Sequence, residues 1–201
     1  VMTSDILAGK GGVILFMDRR ISVAMNKIIV EKAIKYKNRG VVGVDLAGSY
    51  EGLIKAGMIK GLVREAKAAG LGITIHTGET PDVAEMWEVV RKLKPDRIGH
   101  GIAAVRDVKL MRYLAKSQTV LEICPTSNIN TKVVKGYPEF KQIFRSLTEH
   151  GVKFTINTDG SEMQQVNLRE EFRRLLANKV LTQAELIKAN VTAKKASFIN
   201  D

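Results

Sequence analysis

The segment Ile73-Thr74-Ile75-His76-Thr77-Gly78-Glu79 holds the strongest clue to the architecture of this chain. Its β-branched residues favour a strand, and that strand ends in a histidine, a glycine turn and a carboxylate. Arg97-Ile98-Gly99-His100-Gly101 and Asn157-Thr158-Asp159 repeat the arrangement further along. Polar side chains at the carboxyl ends of successive strands are typical of parallel α/β proteins, where active sites form at that edge.

Strand-like and helical patterns alternate along the chain. We predict strands over residues 13–17, 41–46, 73–76, 97–100, 120–124 and 154–157. We predict helices over residues 22–37, 50–69, 81–93, 107–115, 138–149, 168–176 and 183–198. Thr80 is the expected N-cap of the helix that starts at Pro81, and Thr182 with Glu185 forms a capping-box pattern. Such alternation predicts a parallel sheet with helices outside it.

A barrel and a doubly wound open sheet both fit this alternation. A barrel gathers the ends of all its strands at one rim, whereas an open sheet collects ligands at one switch point. Polar residues end five of the predicted strands: Asp45, His76, His100, Cys124 and Asp159. We therefore predict a TIM-type (β/α)8 barrel with about six of its eight units present. Residues 1–12 are expected to be a poorly ordered lead-in, and residues 13–201 a single partial barrel domain.

Composition narrows the functional classes. The 201 residues carry a net charge of +11, but the basic residues are scattered and aromatic residues make up 5%, which argues against nucleic acid as a partner. The lone Cys124 fits a reducing compartment. Neither a signal peptide nor a membrane-spanning run is visible in the sequence. We expect a cytoplasmic protein that does not enter a membrane.

The strand-end residues suit metal-assisted hydrolysis. His76 is a possible zinc ligand, and Glu79, three residues later, is a possible proton shuttle. His100 could orient a nucleophile or take its proton, Asp159 could supply an oxygen ligand, and Gly48 could offer a backbone N–H to a flat substrate. Each residue taken alone has a structural alternative, such as a helix N-cap for Asp159. Their conjunction favours a metal-assisted hydrolase.

Five motifs, in order, resemble the adenosine deaminase family, which includes AMP and adenine deaminases. Four of them resemble that family's (M/V)DLAG, HAGE, R(I/V)GHG and NTD motifs: residues 44–48, 76–79, 97–101 and 157–159. The fifth, Glu122-Ile123-Cys124-Pro125-Thr126-Ser127-Asn128, resembles its E(I/V)CPTSN stretch. Ser197-Phe198 is similar to the closing SF of the family. The resemblance covers roughly residues 13–199.

This resemblance implies a zinc barrel enzyme that converts the 6-amino group of a purine nucleoside, adenosine first, to a ketone and releases ammonia. One Zn²⁺ per complete site is implied, with His76 and Asp159 as ligands. Glu79 would protonate ring N1, and His100 would orient or deprotonate water. Gly48 would donate its N–H to the purine. The strands present would be the third to the eighth.

Two departures from the family pattern qualify these expectations. The His-x-His pair of the first strand is absent, so we expect a carboxyl-terminal portion of an enzyme, weak or inactive alone. A missing amino-terminal segment or another chain is the expected cover for its exposed strand edges. Gly160 stands where many members carry a second Asp that holds the purine, and it is predicted, with Gly48, to contact the substrate. Alternatives are a deaminase of AMP, adenine or a modified nucleoside, and a non-catalytic remnant that binds a purine or a polyanion.

Overall fold

A computed structural model describes residues 11–48 and 55–199 of the chain. The expected lead-in over residues 1–12 lies almost wholly outside the described residues. Six strands are present: β1 (Val13–Asp18), β2 (Val41–Ala47), β3 (Gly72–Thr77), β4 (Arg97–His100), β5 (Val120–Ile123) and β6 (Phe154–Ile156). All six predicted strands are therefore confirmed.

Nine α-helices lie in the described part of the chain. Their bounds are α1 (Val23–Lys35), α2 (Lys60–Ala68), α3 (Ala84–Lys92), α4 (Val108–Ser117), α5 (Pro125–Asn130), α6 (Tyr137–Glu149), α7 (Ser161–Gln164), α8 (Leu168–Ala177) and α9 (Gln183–Ala196). Short 3-10 turns occupy Lys37–Arg39, Ala56–Ile59 and Ile102–Arg106. No helix in these ranges is long and apolar enough to cross a membrane.

The strands follow one another in chain order, β1 to β6, and the pairings are parallel. The alternation, the parallel pairing and the strand order confirm the prediction of about six β/α units of a barrel. By contact density the chain divides into two compact units. The first comprises Val1–His76, Trp87–Asp96 and Ser197–Asp201, and the second comprises Thr77–Met86 and Arg97–Ala196.

The first unit packs its core between strands β1 to β3 and the flanking helices. Buried apolar residues from both layers form one cluster that includes Met17, Val30, Leu46, Val63 and Ile75. The near-continuous apolar runs of β2 and β3 fit burial on both faces of a parallel sheet.

Phe198 fills a space that two glycines leave on this sheet. Gly43 and Gly72 are paired across β2 and β3, and a Cβ at Gly72 would lie 2.3 Å from the Phe198 ring. Because side chains alternate along a strand, Phe198 lies on the same face as Asp45 and His76. Phe198 therefore covers this face of the sheet where β2 and β3 begin. The polar residues Asp45 and His76 lie further along the same face, towards the strand ends.

The second unit has its own core. Phe140 and Phe144 of α6 stack with ring centroids 5.6 Å apart, and Phe144 meets Phe154 of β6 at 4.9 Å. Arg97 joins neighbouring elements, since its Nε lies 3.1 Å from Glu122 Oε1 and its Nη1 donates to the carbonyl of Ala196 at 3.2 Å. The arginine of the Arg97–Gly101 motif therefore has a structural role at the start of β4.

The predicted helix start at Pro81 is wrong. The helix begins at Ala84, and Thr80 is not its N-cap. Asp82 Oδ1 accepts a hydrogen bond from the Ala84 N–H at 2.8 Å, so a local side-chain-to-backbone turn replaces the first expected helical turn. The prediction for residues 50–69 lies partly outside the described residues, and its visible part is Ala56–Ile59 followed by Lys60–Ala68.

Other helix predictions are confirmed within a few residues. Thr182 and Glu185 form the predicted capping box, with the Thr182 N–H donating to Glu185 Oε2 at 2.7 Å and the Glu185 N–H to Thr182 Oγ1 at 3.3 Å. Two short helices, α5 and α7, were not predicted because six- and four-residue helices show little periodicity.

Candidate active site

His76 in the first unit is held by a carboxylate. Its Nδ1 lies 2.8 Å from Oδ2 and 3.1 Å from Oδ1 of Asp45, a buried residue of the neighbouring strand β2. A carboxylate at Nδ1 keeps the proton on that nitrogen and directs the lone pair to Nε2. Metal-binding histidines are commonly oriented in this way. The His76–Asp45 pair therefore has the construction of a metal ligand with its supporting partner.

Arg19 supports the same strand end. It follows β1, is 3% exposed, and donates from Nη2 to the carbonyl oxygen of His76 at 2.7 Å. Asn26 of α1 fixes the end of β1, because its side-chain amide exchanges two hydrogen bonds of 2.9 Å with the backbone of Asp18. These residues hold the backbone from which the His76 imidazole extends.

His100 is the centre of a polar cluster in the second unit. It is 2% exposed, and its Nε2 lies 3.6 Å from Glu79 Oε1 and 3.9 Å from Asp159 Oδ2. The structure thus brings together three of the predicted site residues. Two carboxylates facing one imidazole nitrogen favour a proton on that nitrogen, so this arrangement can hold and pass a proton.

Backbone strain marks two members of this cluster. His100 and Asp159 have φ angles of +62° and +59°, in the left-handed region. For residues other than glycine this conformation costs roughly 1–2 kcal/mol. Such strain is often found at functional sites, where the surrounding structure enforces it.

Glycines bring the Glu79 and His100 loops into contact. A Cβ at Gly78, which has φ +82°, would lie 2.9 Å from Gly101 Cα. The loops are also joined by backbone bonds, from the Gly101 N–H to the Thr77 carbonyl and from the Ala103 N–H to the Gly78 carbonyl, both 2.9 Å long. The glycines of these two motifs therefore set the separation of Glu79 and His100.

The short helix α5 contacts two members of the cluster. Ser127 Oγ donates to Asp159 Oδ2 at 2.7 Å, and the Asn128 Nδ2 lies 3.1 Å from His100 Nδ1. Both side chains belong to the Cys-Pro-Thr-Ser-Asn stretch, to which the sequence interpretation assigned no role. Asn128 is fully buried, so this contact is shielded from water.

The thiol of Cys124, the residue directly after β5, is unreactive in this environment. Burial raises the pKa of its thiol well above the ordinary value, and the negative charges of Asp159 and Glu122 add to the effect. The thiol therefore stays protonated at neutral pH and is unsuited to act as a nucleophile or a thiolate ligand.

The two glycines predicted to meet the substrate lie in different units. Gly48 follows β2 with φ +104°, and a Cβ there would come within 2.9 Å of Asp18 Oδ1. Gly160 precedes α7, where an added Cβ would make ordinary contacts with Met163. Their roles in substrate binding stay predictions.

A cavity of about 320 Å³ adjoins Glu79 in the second unit. Its lining includes Arg106 and Lys132 as well as Glu139. Within the polar cluster, Glu79 is the member that borders this cavity.

The residues that the structure describes provide only part of a metal-binding site. His76 and Asp159 are suitable zinc ligands by chemistry, and His76 has a supporting carboxylate. Among the residues that the structure describes, no three His, Cys, Asp or Glu side chains come together as a metal site. Catalytic zinc sites commonly use three protein ligands, so a full set would need donors beyond these.

Sequence reasoning missed several residues of this region. Arg19 follows a strand, like the residues that were singled out, and the same rule could have identified it. His150 lies at the end of α6, where its Nδ1 is 2.8 Å from the carbonyl oxygen of Ser146. Glu171, which contacts α5, carries no local sequence signal.

The fold is that of a β/α-barrel protein, and a cluster of polar side chains lies at the strand ends of its second unit. The family model described as adenosine deaminase matches residues 8–201. An adenosine deaminase from Shewanella loihica is 34% identical over 170 residues, which are 85% of this chain and 50% of that protein. The chain belongs to the adenosine deaminase family.

Solved structures agree with the fold. Adenine deaminase from Arthrobacter aurescens superposes with a TM-score of 0.83 at 21% identity, over 95% of this chain and 57% of that one. The N6-methyl-AMP deaminase from Arabidopsis thaliana superposes with a TM-score of 0.82 at 26% identity, over 95% and 55% of the two chains. The chain spans about half the length of the curated relatives it matches.

Proposed function

We propose that this chain forms the acid–base part of a hydrolytic deaminase that acts on a 6-aminopurine nucleoside, with adenosine as the first candidate. The cluster of Glu79, His100 and Asp159 in the second unit carries the proposal. Membership of the adenosine deaminase family supports it.

In the proposed reaction water supplies an oxygen to C6, the bond between C6 and the amino nitrogen breaks, and ammonia leaves. Glu79, as the acid, protonates ring N1. His100 orients the water, takes a proton from it and passes that proton to the leaving amino nitrogen. Glu79 takes up the remaining hydroxyl proton as the ketone forms. The backbone N–H of Gly48 donates a hydrogen bond to the purine, and Gly160 contacts the substrate.

We assign His76 and Asp159 as the residues of this chain that would hold Zn²⁺, with further donors completing the set. Bound zinc would supply the positive charge that makes water acidic enough to react at neutral pH. Asp45 and Ser127 would orient the two ligands through their hydrogen bonds.

Ammonia release from adenosine in the presence of Zn²⁺ tests the proposal. The assay uses the chain alone and a chimera that adds the part of the Shewanella loihica enzyme that this chain does not span. We expect turnover by the chimera and its loss, by at least about 100-fold, in Glu79→Gln and His100→Ala. Glu149→Gln, at an exposed pair with Arg145, is the matched control. A chimera that binds zinc without deaminating any 6-aminopurine would contradict the proposal.

A deaminase of a purine nucleoside monophosphate is the second candidate. The cavity beside Glu79 favours it, because Arg106 and Lys132 in its wall could bind a phosphate. The likeness to an N6-methyl-AMP deaminase is consistent with this reading. Glu139 in the same wall works against it.

A substrate panel of adenosine, AMP, N6-methyl-AMP and adenine separates the two candidates. If the phosphate binds in this cavity, Arg106→Ala and Lys132→Ala raise KM for AMP about 10-fold and leave KM for adenosine unchanged. Lys135→Ala, a nearby exposed lysine, is the control. Equal effects on both substrates would contradict the second candidate. Salt-dependent polyanion binding without deamination would instead favour a non-catalytic protein.

A further inference from the structure

Helix α5 connects two groups of the proposed site. Within two consecutive residues it provides the hydroxyl that binds Asp159 and the amide that contacts His100. A small shift or rotation of α5 would therefore displace both groups. Holding catalytic groups to within about 0.5 Å requires that the supporting element itself be fixed.

The N-terminus of α5 lacks a cap of its own. Cys124 at the N-cap makes no side-chain capping bond, and Pro125 at the first position has no N–H. The first helical N–H available to donate is that of Thr126, a buried residue. It donates to Glu171 Oε1 at 3.0 Å, across 45 positions of sequence.

Glu171 makes this bond from inside the second unit. It lies on α8 and is fully buried, and the neighbouring Arg174 donates to Thr126 Oγ1 at 3.2 Å. Its second oxygen, Oε2, is buried without a hydrogen-bond partner among the described residues. Burial raises the pKa of its carboxyl, although hydrogen bonds from Thr126 oppose the effect. Burying a carboxyl group in this way costs stability.

We propose that Glu171 is a positioning residue, which fixes α5 through Thr126 and thereby fixes the geometry of His100 and Asp159. The effect of Glu171 on turnover rests on the proposed function, whereas the effect of Glu171 on α5 and on His100 does not. The test therefore has two arms.

The first arm needs no turnover. Glu171→Met keeps the length and the apolar volume but removes the acceptor, and Glu171→Gln keeps an acceptor oxygen. The amides of Asn128, Thr131 and Val134 donate to carbonyl groups within α5 or at its N-cap. We expect Glu171→Met to accelerate their hydrogen exchange by at least about 10-fold and to shift the ring nitrogen resonances of His100. Glu171→Gln and the exposed control Glu149→Gln should leave both readouts unchanged.

An unchanged α5 and an unchanged His100 in Glu171→Met would overturn the proposal. Glu171→Leu, which also removes the acceptor of the Thr126 N–H, repeats the measurement if Glu171→Met does not fold. Uniform acceleration of exchange throughout the second unit would also overturn the proposal, because it would show a general loss of stability and no specific effect on α5.

The second arm uses the catalytically competent chimera. We expect Glu171→Met to lower kcat about 10-fold with KM within about 2-fold, and Glu171→Gln to restore kcat. Because Glu171 acts through the Ser127 and Asn128 contacts of α5, adding Glu171→Met to the double variant Ser127→Ala/Asn128→Ala should cost little more than that double variant alone. Additive effects would overturn the catalytic part. A chimera without activity would refute the proposed function and leave the first arm to decide the role of Glu171.

Discussion

At the scale of single residues, the site depends on contacts that constrain polar side chains closely. His76 receives a carboxylate at Nδ1 and an arginine at its carbonyl. His100 has an amide on one ring nitrogen and two carboxylates near the other. Each imidazole is thereby limited in orientation and in protonation, and such preorganisation is what an acid–base or metal-binding group needs.

Gly72→Ala tests the packing of Phe198. The new Cβ would lie 2.3 Å from the Phe198 ring, so we expect a loss of about 1–3 kcal/mol in the free energy of unfolding, measured by urea denaturation. Gly61→Ala is the control, since no atom lies within 4 Å of its added Cβ. That variant should be neutral or stabilised by up to about 1 kcal/mol. Equal stability of the two variants would show that Phe198 does not occupy this position in solution.

Glu171→Gln tests the electrostatic cost of the buried carboxyl. Its pKa is raised in the folded state, mainly by burial. The unfolded carboxyl, with a pKa of about 4.5, therefore ionises first as the pH rises. The stability lost to ionisation is absent below that pKa and complete above the folded pKa.

We therefore expect the melting temperature of Glu171→Gln, relative to that of the natural chain, to increase from pH 4 to pH 8. Thermal unfolding at several pH values measures this difference. A difference that falls with rising pH would show that Glu171 is stabilised as an anion.

At the scale of secondary structure, local sequence signals predicted helices correctly where the helix is long and its capping residues are next to it in the sequence. Ser22 was predicted to begin the first helix, and its Oγ accepts from the Met25 N–H at 3.2 Å. The capping box of α9 was predicted from two residues three apart. The start at Pro81 failed because the Asp82 side chain bonds to the Ala84 N–H and competes with helical bonding.

Thr182→Ala tests the cap of α9. Removing its Oγ1 leaves the Glu185 N–H without its acceptor, so we expect a loss of about 1 kcal/mol in the free energy of unfolding. Thr192→Ala is the matched control, because this half-buried threonine lies inside the same helix and its hydroxyl donates to the Lys188 carbonyl. It should be neutral or slightly stabilising. Chemical denaturation of both variants measures the contrast, and equal losses would refute the capping role.

At the scale of the whole molecule, metal affinity is the property to measure. The described residues bring no three ligating side chains together, so we expect the isolated chain to bind Zn²⁺ more weakly than a complete catalytic site does. Titration calorimetry should show weak binding that His76→Ala and Asp159→Ala each reduce. His150→Ala, at a helix terminus, should leave it unchanged. Tight, stoichiometric zinc binding by the chain alone would contradict this expectation.

Hydrophobic periodicity and turn chemistry were sufficient to locate all six strands and the ends of several helices, because these signals act between residues that are close in the chain. The strand-end position of the polar residues was sufficient to predict that Glu79, His100 and Asp159 lie close together, and their chemical roles stay predictions. Tertiary structure alone decided the contact of Phe198 with Gly43 and Gly72, the bond from Arg19 to the His76 carbonyl, and the capping of α5 by Glu171. These contacts join residues far apart in sequence, and burial creates the donor and acceptor needs that they satisfy.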